Sequence, residues 1–115
     1  MYFVNPTTNE MKKQNLFKNI PSSLPKELFE EIDSTDNIKI ERIISQGHKS
    51  PAGFWYDQDK NELVFLLLGS GVIEFENGRK VKLNPGDYLK INPHEKHRVV
   101  ETSNLTKTIW LAIHY

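Results

Sequence analysis

The chain has 115 residues, enough for one domain with one core. Its 15 basic and 15 acidic side chains cancel, so the composition offers no basic face to a nucleic-acid backbone and no polybasic footprint for a membrane surface. The absence of cysteine excludes disulfides, thiolate catalysis and cysteine zinc sites.

Residues 1–14 are polar with scattered apolar positions and no period, and are expected to form a flexible N-terminal arm ahead of a single domain over 15–115. The arm lacks the apolar stretch and small-residue cleavage site of a secretory signal. The longest apolar run, Leu63 to Leu68, is far too short to span a bilayer, so the cytoplasm is the expected location. Leu16, Phe17 and Ile20 are placed to pack as one turn onto the domain. Ser22 to Ile32 predicts a short helix: Ser23 suits an N-cap, Pro25 suits the first turn, and Leu24, Leu28 and Ile32 recur at four-residue spacing.

From Ile38 the apolar period changes to two. Ile38 to Ile44, Phe54 to Tyr56, Glu62 to Leu68, Val72 to Glu76, Arg79 to Leu83, Tyr88 to Ile91, His97 to Thr102 and Thr108 to His114 read as strands. Glycine, proline, asparagine and aspartate fill the intervals, and Asn77-Gly78 is a hairpin turn signal. Many short strands with frequent turns and no crossover helix predict an all-β, mostly antiparallel sandwich or barrel.

Period-two alternation puts Glu62 on one face with Val64, Leu66 and Leu68, and His97 on one face with Val99. If those faces line the interior, Glu62 is a carboxylate in apolar surroundings, which is costly unless it is paired or metal-bound. A strand-end Glu that reaches solvent and a hydrogen-bonded structural His are the commoner alternatives. His94 lies three residues before His97, on the opposite face of a straight strand, unless a bend at Pro93 brings both together. Asp57 is close to Glu62 across a tight turn, and is as readily a turn cap. His48 lies in a Gly-containing loop, and His114 shares a face with Trp110 and Ala112; each signal is weak by itself.

Glu62-Leu-Val-Phe-Leu-Leu-Leu-Gly69 resembles the second half of the first cupin motif, and Pro85-Gly86-Asp87-Tyr-Leu-Lys-Ile91 followed by His97-Arg98-Val99 resembles the second. Glu41-Arg-Ile-Ile-Ser, Gly47-His48-Lys-Ser50-Pro51, Trp55-Tyr-Asp-Gln58 and Thr108-Ile-Trp-Leu-Ala-Ile-His114 are similar to a group of small bacterial single-domain cupins of uncharacterised activity. The resemblance implies a cupin-type antiparallel barrel, the double-stranded β-helix or jelly roll. It also implies a homodimer and a small-molecule ligand, while the balanced charge leaves neither nucleic acid nor membrane expected as partner.

In metal-binding cupins the first motif carries His-x-His ahead of its Glu. Carried over, Glu62 and His97 match, whereas the His-x-His positions fall on Trp55 and Asp57. The resemblance thus allows a divalent metal (Mn, Fe, Zn or Ni) on Asp57, Glu62 and His97, with His94 as the next donor. It places Trp55, Tyr56, Val64 and Val99 around a ligand pocket. Two kinds of function follow: a metal-dependent enzyme of isomerase or dioxygenase type, or a module that binds a small ligand without catalysis, with or without metal.

Overall fold

The computed structural model describes residues 12–115. Most of the expected arm therefore lies outside the described residues. Eight strands make up the regular structure: β1 (Leu28–Ser34), β2 (Lys39–Ser45), β3 (Glu62–Leu68), β4 (Gly71–Phe75), β5 (Lys80–Leu83), β6 (Tyr88–Ile91), β7 (His97–Thr102) and β8 (Thr108–His114). They form a five-stranded sheet in the order β1-β2-β8-β3-β6 and a three-stranded sheet in the order β5-β4-β7. Every pairing is antiparallel. The all-β antiparallel barrel expected from the alternating pattern is what the chain forms.

The core follows from the alternation. Val64 and Leu66 of β3, Ile73 and Phe75 of β4, Leu83, Ile91 and Trp110 project between the two sheets and pack on one another. β4 and β5 are joined through Asn77-Gly78: Gly78 takes the left-handed backbone (φ 90°), and the Asn77 side chain accepts a hydrogen bond from the Arg79 amide. The hairpin forms where the dipeptide signals one, but as a three-residue loop over 76–78, with the Gly78 amide donating to the Phe75 carbonyl and only the glycine left-handed.

The short N-terminal helix does not form. Leu28 to Ser34 is strand β1, paired with β2 from Leu28–Ile44 to Ser34–Lys39, with a register shift between Glu31 and Asp33. A helix this short is marginal in water by itself. The open edge of β2 offers these residues a full ladder of backbone partners, and tertiary pairing outweighs the local preference. Phe54 to Tyr56 is not a strand either; only Tyr56 makes an isolated bridge, to His97.

The segment before β1 covers the outer face of the larger sheet. Arg42, buried on β2, donates to the Leu16 and Lys18 carbonyls at 3.0 and 2.7 Å and pairs with Glu30. Leu24 is buried, and its amide donates to the Gln46 side chain. Leu16 and Ile20 are partly buried, whereas Phe17 stays exposed.

Candidate functional site

One end of the space between the sheets is not filled by apolar side chains. It is a cavity of about 320 Å³ lined by Tyr56, Gln58, Glu62, His97, Trp110 and His114 among others. That volume is at the small end of ligand pockets. The strand geometry determines which side chains reach it. Glu62 opens β3, where reciprocal hydrogen bonds between Asn61 and Tyr115 tie β3 to the end of β8 and set Glu62 directly opposite His114. His97 opens β7, clamped by two backbone hydrogen bonds to Tyr56 whose ring stacks on the imidazole at 5.6 Å.

Glu62 and His97 are both buried, and His97 Nε2 faces Glu62 Oε1 at 3.4 Å. Gln58 donates to the same oxygen at 2.7 Å. Glu62 Oε2 accepts no hydrogen bond from the described residues. On the other side of the ring, His97 Nδ1 donates to the Glu95 carbonyl at 2.8 Å. A carbonyl can only accept, so Nδ1 carries a proton, and Nε2 meets the carboxylate attractively when it is protonated too. Burial opposes that charge more than any other influence. Glu62 and the Glu95 carbonyl together outweigh it, so the His97 pKa lies above its ordinary value. Burial likewise pushes Glu62 up, but His97, Gln58 and more distantly His114 bring it below the ordinary carboxylate value. Each partner thus favours the charged form of the other, carboxylate for Glu62 and imidazolium for His97. Tyr56 is held in its protonated phenol form by burial and by the nearby Glu27, Glu62 and Glu41.

A second pair stands beside the first. His114 Nε2 donates to Glu41 Oε1 at 3.0 Å, and both are buried. Glu41 on β2, His114 on β8 and Glu62 on β3 lie on three adjacent strands, and His97 reaches over from the other sheet.

Asp57 and His94 do not join this centre. The His94 ring donates to Asp57 at 2.8 Å, both side chains are exposed, and neither lines the cavity. A short hydrogen bond from the His94 amide to the Gln58 carbonyl (2.6 Å) accompanies that pair, with His94 in the left-handed backbone region (φ 59°). Together they tie the loop carrying Gln58 to the loop leading into His97. Trp55 also departs from expectation: it lies outside the cavity under the Arg98 guanidinium, 4.2 Å from its ring centre. Tyr56, Val64 and Val99 line the cavity.

The donor set implied by the resemblance is therefore not assembled. Among the described residues no group of three or more His, Asp or Glu side chains is arranged to hold a metal ion. Of the expected four donors, two turn outward as a pair and two face each other. A divalent ion does not fit this set of residues.

The match to known proteins agrees with the fold. Residues 43–114 match the cupin domain family. The chain belongs to the cupin family. No curated protein matches. Among solved structures, this cupin is similar to a candidate mannose-6-phosphate isomerase from Ralstonia eutropha JMP134, with 42% identity, a TM-score of 0.86, and coverage of 90% of this chain and 96% of that one. It is similar in fold to a cupin superfamily protein from Desulfitobacterium hafniense DCB-2 (21% identity, TM-score 0.69, 83% and 82% coverage). It is also similar in fold to a Streptococcus pyogenes protein of unknown function (12% identity, TM-score 0.73, 99% and 94% coverage).

The sequence flagged Glu62 and His97 by motif, but gave little weight to His114 and none to Glu41 or Gln58. The signal for His114 was its place on the Trp110–Ala112 face. Glu41 is 73 residues away and becomes its partner only through the β2–β8 register.

Proposed function

We propose that this cupin is an acid–base enzyme that moves a proton on a small hydroxylated carbonyl compound, an isomerisation of the aldose–ketose kind. One observation carries the reading: a carboxylate and the imidazole it faces share one wall of a monosaccharide-sized cavity, and the carboxylate keeps one oxygen without a partner among the described residues. Glu62 Oε2 takes the proton from the carbon beside the carbonyl. The C–H electron pair becomes the new C=C bond, and the carbonyl oxygen takes the proton on His97 Nε2, giving an enediol. The second hydroxyl then returns a proton to His97, while Glu62 gives its proton to the former carbonyl carbon. Protons and electrons balance without a co-reactant. At 3.4 Å the His97–Glu62 contact is long for a charged hydrogen bond, so Nε2 can turn its proton to a substrate oxygen. The Tyr56 phenol is a donor for another substrate oxygen.

The similarity to a candidate mannose-6-phosphate isomerase supports the reaction class. The donor geometry supports acid–base chemistry carried by side chains. The test is deuterium incorporation next to the carbonyl, followed by proton NMR in D₂O with a panel of hexoses, pentoses and their phosphates. Exchange is expected to survive dialysis against a chelator. It should fall by about 10²-fold or more in Glu62→Gln, the usual range for losing a general base. Exchange equal in wild type and Glu62→Gln would overturn the assignment, as would exchange that needs added metal. The lowered pKa of Glu62, which weakens it as a base, favours a second reading as a binding module without turnover. Ligand binding with no exchange for any panel member decides for that reading.

A further inference from the structure

The charge around the cavity constrains its ligand. Three carboxylates line it: Glu27, Glu41 and Glu62. Each has a partner: a neutral hydroxyl for Glu27 and an imidazole for Glu41 and for Glu62, so His97, drawn toward its charged form by Glu62, is the cation set deepest among them. Glu27 accepts from the neutral Ser45 hydroxyl at 2.6 Å, Glu41 from His114, and Glu62 from Gln58 while facing His97. Lys39 is the lining lysine; it is half exposed at the rim and stands 3.7 Å from Glu41.

Among the described residues no arginine lines the cavity. Arg42 is turned to the outer face, held by Glu30 and the Leu16 and Lys18 carbonyls, and Arg98 is paired with Glu74 over Trp55. The features that usually seat a phosphate are a forked guanidinium, a glycine nest or a helix N-terminus. None of these faces the cavity among the described residues. Much of the remaining wall, Val64, Ile73 and Trp110 among others, is apolar and suits the C–H face of a sugar ring.

We infer that the site selects an uncharged or amine-bearing monosaccharide-sized molecule and rejects phosphate esters. This rests on the proposed site and deepens it by naming the substrate class. A phosphate group brings a charge of about −1.5 to −2 near neutral pH. Placed among three carboxylates in a partly enclosed space, it meets like-charge repulsion that bulk solvent screens only in part.

The experiment follows the ring signals of His97 by NMR in the full chain at fixed ionic strength. The probes are D-mannose, D-glucosamine and D-mannose 6-phosphate. Mannose and glucosamine are expected to shift the His97 signals with dissociation constants at least about ten-fold lower than that of mannose 6-phosphate. Glu27→Gln, whose amide oxygen still accepts from Ser45, should narrow that gap several-fold. Mannose 6-phosphate binding as tightly as mannose would overturn the inference, and so would a protein that responds to none of the three. The wild-type panel is decisive even if the variant does not fold. Charge-selective binding with no deuterium exchange leaves the inference standing and sinks the proposed reaction.

Discussion

At the scale of single residues, the buried pair of Glu62 and His97 makes stability depend on pH in a defined window. The His97 pKa is raised in the folded protein. Its contribution is therefore complete below the ordinary imidazole value of 6.5 and lost as pH rises through the folded value. The Glu62 pKa is lowered. Its contribution is complete above the ordinary value of 4.5 and lost as pH falls through the folded value. Both are fully present only between those two ordinary values, so the unfolding midpoint should peak in mild acid. Circular-dichroism melts at stepped pH check this, and in His97→Gln the alkaline shoulder should flatten. A wild type whose midpoint climbs steadily from mild acid to alkaline pH would show that the pair does not form as described. Replacing His97 by Ala should cost about 3 kcal/mol, because it strands a buried carboxylate. Asp57→Asn, at an exposed pair, should cost well under about 1 kcal/mol. A large loss there would mean the two tied loops depend on that charge.

At the scale of elements, the period-two pattern located β3, β6, β7 and β8 with the ends they have in the structure, because each is bounded by strong turn residues. It failed for β1, whose four-residue apolar spacing fits a helix as well as its pairing fits a strand. What separates the two is the vacant edge of β2, and nothing local to residues 28–34 reports that edge. Element packing also explains a glycine. A Cβ on Gly71, at the start of β4, would run into the Trp110 ring, which is buried and cannot swing away freely. Gly71→Ala should therefore cost about 1–3 kcal/mol by overpacking and push Trp110 toward the cavity. Chemical denaturation measures the first effect and the near-ultraviolet signal of Trp110 the second. A neutral substitution would mean the two sheets separate more easily than their close contact suggests.

At the scale of the whole molecule, β1 is an edge strand carrying Phe29 and Ile32, each about half exposed. Open apolar edges are prone to pair with another chain. We propose that the homodimer expected from the family resemblance forms here. Sedimentation should give a dimer for the wild type and a monomer for Ile32→Lys; a monomeric wild type would end the proposal. Length, charge and the absence of cysteine set the class of protein. Strand alternation and turn residues set the barrel, and the resemblance of the Glu62 and His97 segments to the cupin motifs pointed to the cavity. These are local properties, and a chain with period two and strong turns has few ways to bury its apolar face. The rest depended on register. Asp57 and Glu62 are neighbours in sequence, yet the fold pairs Asp57 with His94 outside and leaves Gln58 to face Glu62. Glu41 and His114 are far apart in sequence and meet because β2 lies beside β8. A one-residue slip in either pairing would turn each of these side chains to the opposite face, so only the assembled sheets decide which charges share the cavity.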